Sequence, residues 1–254
     1  MQSNGHNTNL SGSFTDQMVG AVVAANYRAA DVFTKYGIDY CCGGQISVGQ
    51  ACAEKGLDPA ALMDEVAQAA AQAGPVTAYN QWGLDFLADY IVNQHHAYTK
   101  TMIPRLVAMM EAVIAAHAES HPELHAIDAS WQAVSGELIM HMQKEELMLF
   151  PYIKRLVRSS QEGGPLPRPK FGSAAELIEL MEDEHQSTGD QLAVIEQGSG
   201  GFTPPEDACP TFQALYRYLE EFQAQTKEHV HLENNILFPK AIALEAQQRA
   251  HSPA

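Results

Sequence analysis

Two stretches of the sequence each place a histidine four residues before a glutamate. The pairs are His141 with Glu145 and His229 with Glu233, and Leu-Phe-Pro follows both, with the proline six residues after the glutamate. Residues i and i+4 of an α-helix lie one above the other, so each pair points an imidazole and a carboxylate in the same direction. Helix bundles build metal sites from such pairs on facing helices.

A further histidine precedes each pair at nearly the same distance. His96 lies 45 residues before His141, and His185 lies 44 residues before His229. A helical hairpin with arms of roughly 21 residues, at about 1.5 Å per residue, returns to the level at which it began. Two such hairpins bring six candidate metal ligands to one level of a four-helix bundle: His96, His141, Glu145, His185, His229 and Glu233. One pair alone arises by chance on many helices, whereas two copies with matched leading histidines are a specific signal.

The donor set indicates the kind of metal. Four imidazoles and two carboxylates favour iron, manganese or zinc over calcium and magnesium, which prefer oxygen ligands. Six side chains are too many for one reactive ion and suit two. If Glu145 and Glu233 bridge, each ion receives two nitrogens and two oxygens, and an oxo or hydroxo bridge leaves about one octahedral position open for O2 or NO. The alternative is a set of unrelated surface or core pairs, whose equal spacing would be a coincidence.

Two other histidines of the same predicted helix compete for the site. His95 adjoins His96 but points about 100° away on a helix, and its apolar neighbours do not choose between the two. His95 is therefore held as a candidate hydrogen-bond donor to a ligand. His117 lies 21 residues after His96, about 31 Å along a straight helix, and we leave it out of the site.

The adjacent cysteines Cys41 and Cys42 are the second candidate site. A disulfide between neighbours requires a strained ring, so free thiols are expected, and the following Gly43-Gly44 keeps the loop open. Such thiols could exchange, bind a soft metal, or react with NO or oxidants. The alternative is a small buried pair at a tight turn.

The remaining elements predict an all-α protein: a small N-terminal helical domain followed by an antiparallel four-helix bundle. In the first domain we expect one helix from an N-cap at Thr15 to Tyr36, a short helix after Ser47, and a third from Asp58-Pro59 to about 73. The expected domain bounds are a disordered tail at 1–13, the helical domain at 14–73, a linker at 74–81, the bundle at 82–246 and a tail at 247–254. The expected bundle helices are 83–117, 124–158, 173–197 and 206–246.

Composition excludes several classes of partner. The net charge of −16 argues against nucleic acid and anionic membranes, which require a basic surface. No apolar run is long enough to cross a membrane, and the polar N-terminus does not read as a secretory signal. Four cysteines without a regular framework fit a reducing compartment, so we expect a cytoplasmic protein. The oligomeric state stays open, with a homodimer among the options.

Several motifs occur together in the order found in one known family. They are Asp-Tyr-Cys-Cys-Gly-Gly at 39–44, His95-His96 eight residues before Pro104, Glu184-His185, and the two His…Glu pairs with their Leu-Phe-Pro. On these residues, which span about 14–240, the chain resembles the repair-of-iron-centres proteins, the di-iron ScdA/YtfE/DnrN/NorA group. The Cys-Cys-Gly-Gly loop joined to this bundle is highly specific to that group.

The resemblance implies a hemerythrin-like bundle that holds two non-haem iron ions, oxo-bridged and spanned by Glu145 and Glu233. It implies that the first ligand is the histidine eight residues before the proline, His96. It also implies repair of iron–sulfur clusters damaged by NO or oxidants, through iron donation or NO processing, with damaged or apo iron–sulfur proteins as partners. The alternative is a hemerythrin-like protein that binds and sequesters NO or O2, and enzymatic turnover is left open. For either role we expect the linker to let Cys41 and Cys42 approach the metals.

Overall fold

The computed structural model describes residues 13–72, 77–169 and 171–251. Within those residues the regular structure is helical and no β-strand occurs, so the predicted all-α fold class is confirmed. The chain divides into two compact units between residues 78 and 79. The predicted tail at 1–13 and linker at 74–81 lie partly outside the described residues. No described helix is both long enough and apolar enough to cross a membrane.

The first unit contains four short α-helices in its described part. They are α1 Val19–Ala25, α2 Ala29–Lys35, α3 Val48–Lys55 and α4 Pro59–Ala71. The predicted caps of the last two helices are confirmed: the Ser47 hydroxyl accepts from the Gln50 N–H, and the Asp58 carboxylate accepts from the Ala60 N–H.

The prediction of one helix from Thr15 to Tyr36 is wrong. Thr15 lies in a short 3-10 turn, and the helical segment is broken at Asn26, whose backbone is extended at φ −151° and ψ 107°. The Asn26 side-chain oxygen accepts from the Arg28 N–H at 3.1 Å, which replaces a helical hydrogen bond with a local turn. The predicted end at Gly37 is correct, since Gly37 adopts φ +62° directly after α2.

The second unit contains four long helices, and their bounds differ modestly from those expected. They are α5 at 84–117, α6 at 123–162, α7 at 174–198 and α8 at 210–251. Helix α8 begins later than predicted, because Pro210 occupies its first turn, where the missing N–H costs nothing. It also continues to 251, beyond the predicted 246.

Three of these helices contain one π-helical turn each, and none of the three was predicted. The turns are Val92–His96 in α5, Glu145–Leu149 in α6 and Glu233–Leu237 in α8. A π turn inserts one residue into the α-helical register, and such insertions are frequent at functional sites. In α6 and α8 the leucine of the Leu-Phe-Pro sequence is the last residue of the π turn, and the proline two residues later lacks the N–H that would close an α turn.

One hydrophobic core cluster of the bundle lies towards the end remote from the two His…Glu pairs. Helix α6 packs along α7 and helix α5 along α8. Trp131 of α6 meets Phe222 of α8 edge-on at 4.9 Å between ring centroids, and both are fully buried. Aromatic rings of this size contribute large apolar areas to a core, so this end holds the four helices together and fixes their levels.

His121 fastens the α5–α6 turn to the α7–α8 loop at the same remote end. Its Nδ1 lies 2.9 Å from Glu123 and its Nε2 lies 2.9 Å from Asp207. The two carboxylates, first Glu123 and then Asp207, raise the pKa of His121, and His121 in turn lowers the pKa of Asp207.

We predict that His121→Gln lowers the melting temperature slightly near pH 5.5 but not at pH 9. A raised folded-state pKa gives stability that is present below the unfolded value, about 6.5 for histidine, and is lost as pH rises through the folded value. Thermal unfolding at the two pH values measures the difference, with His125→Gln, at an exposed position in the first turn of α6, as the control. Equal losses at both pH values would contradict an ionic role.

Candidate metal centre

The structure brings all six candidate ligands into one buried pocket between the four long helices. Their side chains are 0–3% exposed. They form two groups whose ligand atoms lie within 4.8 Å of one another. His96 and His229 belong to the first group and His141 and His185 to the second, while Glu145 and Glu233 belong to both.

The π turns deliver the ligands to this level. Glu145 and Glu233 are each the first residue of a π turn, and His96 is the last residue of the third. Helix α7, which carries His185, is α-helical throughout and begins with a complete capping box at Ser173 and Glu176.

Hydrogen bonds fix the tautomers of the second group. The Nδ1 of His141 lies 2.9 Å from a Glu184 oxygen, and the Nδ1 of His185 lies 2.8 Å from the Asn234 side-chain oxygen. An oxygen acceptor requires that each Nδ1 carries a proton, so each Nε2 presents a lone pair when the ring is neutral, as a metal ligand must be. The two Nε2 atoms lie 2.9 Å apart. Two lone pairs repel at that distance, so either a metal ion or a proton must lie between the two nitrogens.

In the first group, one of the two histidines has an acceptor at its Nδ1. His96 Nδ1 lies 2.7 Å from Glu146, which leaves its Nε2 as a lone-pair donor 3.2 Å from the Nε2 of His229. Two ligands bound at about 2.1 Å and at right angles to one ion lie about 3 Å apart. Both Nε2 separations therefore match neighbouring positions in a metal coordination shell.

Each glutamate contacts one histidine of each group. Glu145 Oε2 lies 3.3 Å from His96 Nε2 and 3.4 Å from His141 Nε2. Glu233 reaches His229 with Oε1 at 3.0 Å and His185 with Oε2 at 3.1 Å. Each carboxylate is therefore shared between the two groups, Glu233 through both of its oxygens and Glu145 through one.

Both glutamates are fully buried and stay ionised. Burial raises the pKa of each, but the surrounding imidazoles outweigh it: the pKa of Glu145 is lowered, and that of Glu233 lies well below its ordinary value. Neither oxygen of Glu145 has a hydrogen-bond partner among the described residues. A buried carboxylate without donors requires a compensating cation. The pocket therefore fits a pair of divalent or trivalent metal ions.

His95 does not act as the hydrogen-bond donor that its position suggested. It is 3% exposed, and neither ring nitrogen has a hydrogen-bond partner in the described structure. Its ring lies nearly parallel to that of His229, at 12° and 5.5 Å between centroids. Burial, followed by the neighbouring His229, lowers the pKa of His95 to about 3, so the ring is neutral.

His117 lies apart from the pocket, as expected. It sits at the last turn of α5, where its ring neighbours are His121 at 6.3 Å and Phe212 at 5.3 Å.

Three residues that support the ligands were not singled out as site residues. Glu146, Glu184 and Asn234 accept hydrogen bonds from ligand histidines, and each directly adjoins a ligand in sequence. Polar residues next to a ligand on a helix carry a signal for this role, since a ligand histidine almost always donates its second nitrogen to such a group.

Cys41 and Cys42 lie in a loop of the first unit that Asp39 organises. The Asp39 carboxylate accepts from the N–H groups of Cys41, Cys42 and Gly43 at 2.9–3.1 Å. A Cβ at Gly43 would come within 3.2–3.3 Å of the Asp39 side chain, which favours glycine there. The backbone therefore holds the two thiols on a preformed turn.

Neither cysteine forms a disulfide, as expected, but the two differ in exposure. Cys41 is buried, with its sulfur 3.2 Å from Asp39 and 3.9 Å from the Cys42 sulfur, whereas Cys42 is half-buried. Hydrogen bonding to Cys42, burial and the Asp39 charge raise the pKa of Cys41 well above its usual value. Three donor groups, Asp39, Cys41 and Cys42, lie close enough together to hold a metal.

Comparison with known proteins identifies relatives for both units. Residues 15–70 match a domain of unknown function (DUF542, ScdA_N), and residues 87–241 match the hemerythrin HHE cation-binding domain. The chain is 35% identical over 229 residues to the iron-sulfur cluster repair protein YtfE of Yersinia pestis strain Pestoides F, and equally to that of Yersinia pseudotuberculosis serotype O:1b. Each match covers 90% of this chain and 98% of the relative.

Proposed function

The chain belongs to the repair-of-iron-centres family of hemerythrin-like proteins, and we propose that it is a di-iron protein that restores damaged iron–sulfur clusters. The observation that carries this proposal is the convergence of four imidazole nitrogens and two shared carboxylates in one buried pocket. The hemerythrin-type domain supports iron as the metal, and the names of the relatives support the repair role.

In this proposal the two groups of ligands each hold one iron ion. His96 and His229 hold the first, His141 and His185 hold the second, and both glutamates bridge. Bound iron would supply ligand binding and one-electron chemistry at the centre. The protein supplies four donors per ion, so that each ion keeps positions for exchangeable ligands.

The surrounding side chains orient the donors and keep bulk water away. Phe150 stacks on His96 at 5.7 Å, and Phe238 stacks on His185 at 6.0 Å between centroids. Both phenylalanines come from the repeated Leu-Phe-Pro sequence and are fully buried. The phenylalanine of each Leu-Phe-Pro sequence therefore shields a ligand histidine from water, in addition to the effect of the proline on the helix.

Repair is tested by mixing the iron-loaded protein, a sulfide source and a reductant with a dehydratase whose [4Fe–4S] cluster NO has destroyed, and a mixture without the iron-loaded protein is the blank. We expect most of the dehydratase activity to return, together with a matching loss of iron from the protein. A variant with Glu233→Gln is expected to leave the dehydratase inactive. If the wild-type protein kept its iron against strong chelators and did not reactivate the dehydratase, the repair role would be refuted.

The alternative function is reversible binding of NO or O2 without repair. It is favoured by the same donor count, because an ion with four protein ligands can accept an external one. Titration of the reduced protein with NO separates the outcomes. Stable stoichiometric binding supports a sink, production of N2O supports an enzyme, and iron transfer without either supports donation.

We propose that Cys41 and Cys42 accept iron during repair, each thiol losing its proton as its sulfur binds the metal. Changing both to serine in the full chain is expected to leave the iron content unchanged and to remove most of the reactivation. The control is Cys209→Ser, which alters a lone thiol in the second unit. Full reactivation by the double variant would exclude this role. Thiols that form no disulfide are maintained in a reducing compartment, so we propose the cytoplasm as the location of this function.

A further inference from the structure

The internal repeat allows the two halves of the centre to be compared position by position. The residue after each ligand glutamate is Glu146 in one half and Asn234 in the other. The residue before each leading histidine is His95 in one half and Glu184 in the other. Equivalent positions therefore carry different side chains beside equivalent ligands.

Three of these four residues hydrogen-bond a ligand histidine. Glu146 bonds His96 at 2.7 Å and Asn234 bonds His185 at 2.8 Å, each supporting the leading histidine of a half. Glu184 bonds the remaining ligand of its own ion, His141, at 2.9 Å.

The fourth position breaks the pattern. By the repeat, His95 should support His229 as Glu184 supports His141. Instead its ring lies parallel to that of His229, and its nitrogens bond to none of the described residues. Each of the other three ligand histidines has a side-chain acceptor at its Nδ1, and His229 has none among the described residues.

Such supports change how strongly a histidine binds metal. A carboxylate that accepts from Nδ1 fixes the ring and raises its basicity, and loss of such a partner typically costs about 10–100-fold in metal affinity. Glu184 is itself held by an ion pair with Lys144. The ion between His141 and His185 therefore has two supported ligands, whereas the ion between His96 and His229 has one.

We infer that the two metal positions are unequal, and that the iron held by His96 and His229 is the one the protein releases. This inference rests on the proposed di-iron function and specifies which ion is the cargo. The iron held by His141 and His185 remains as the resident ion.

The test measures the release of ferrous iron from the loaded full-length protein to the chelator ferrozine, followed by absorbance. We expect two phases of one iron each, with rates that differ by about 10–100-fold, in proportion to the effect of one lost support. His95→Glu, which copies the other half, should slow the fast phase until the two merge. Glu184→His, the reverse exchange, should convert the slow phase into a second fast one.

Two further variants keep the test decisive if an exchanged residue prevents folding. Glu184→Gln removes the charge with little change in shape and should also accelerate the slow phase. Lys144→Met should accelerate the same phase alone, because Lys144 holds Glu184 in place and does not contact the ions. Circular dichroism checks that each variant is folded.

Release of both irons at one rate, or a slow phase that neither Glu184→Gln nor Lys144→Met accelerates, would overturn the inference. Either result would leave the proposed function intact, provided that two irons are bound and clusters are repaired. A protein that binds no iron pair would instead refute the proposed function itself. Refilling the fast site with 57Fe and recording one Mössbauer doublet would provide evidence independent of activity.

Discussion

Replacing Glu233 with glutamine is expected to abolish the dinuclear centre. The amide preserves the size of the side chain but removes a full negative charge from the middle of a fully buried site. Because Glu233 contacts His229 at 3.0 Å and His185 at 3.1 Å, both ions lose a donor at once. We expect bound iron to fall from about two ions per chain to below one. The underlying loss of metal affinity should exceed the roughly 10–100-fold loss that follows removal of a residue supporting a ligand.

Iron content and the visible absorption of the purified variant measure this effect. The matched control is Glu220→Gln, which makes the same chemical change at an exposed position of the same helix. It should retain two irons and the wild-type spectrum. Retention of two irons with an unchanged oxo-bridge spectrum in Glu233→Gln would contradict the bridging assignment, and Glu145→Gln provides a second, independent case.

The positions of the six ligands follow from sequence because spacing determines height along a helix. The histidine and glutamate of each pair are four residues apart, and the leading histidine is one hairpin away, so regular α-helix geometry predicts that they share a level. The remote core supports this geometry, since Trp131 and Phe222 hold the helices in register.

The π turns were not predictable in the same way. A single inserted residue leaves the hydrophobic pattern nearly unchanged, and the His-x-x-x-Glu spacing reads the same whether an α or a π turn follows. The break at Asn26 was missed for a similar reason, because one side-chain hydrogen bond to the Arg28 N–H outweighs the helical periodicity on both sides.

Helical periodicity does not determine which of His95 and His96 faces the metal site, because that depends on how the helix packs. Both histidines are buried, and sequence places them only about 100° apart on a helix. The structure directs His96 to Glu145, whereas His95 lies against the ring of His229. Which of two adjacent residues faces a ligand depends on the rotation that the π turn at 92–96 imposes, and this rotation is a tertiary property.

Removal of the metal is expected to destabilise the second unit more than any surface substitution. Without metal, the four imidazoles, with Nε2 separations of 2.9 Å and 3.2 Å, and the two buried carboxylates can be compensated only by protons on the histidines. A ligand present at 1,000 times its Kd stabilises the folded state by about 4 kcal/mol per site. For a unit of this size, each site therefore contributes roughly 8–16 °C to the melting temperature.

Thermal unfolding followed by tryptophan fluorescence, with and without a chelator, measures this contribution. Both tryptophans of the chain, Trp82 and Trp131, lie in the second unit, so the signal reports on the bundle alone. The double variant Glu145→Gln/Glu233→Gln should be insensitive to the chelator, since it has no metal to lose, whereas Glu220→Gln should respond like the wild type. An unchanged melting temperature after complete removal of iron would mean that the pocket is stable without metal. The short distances between the Nε2 atoms would then no longer be evidence for a metal site.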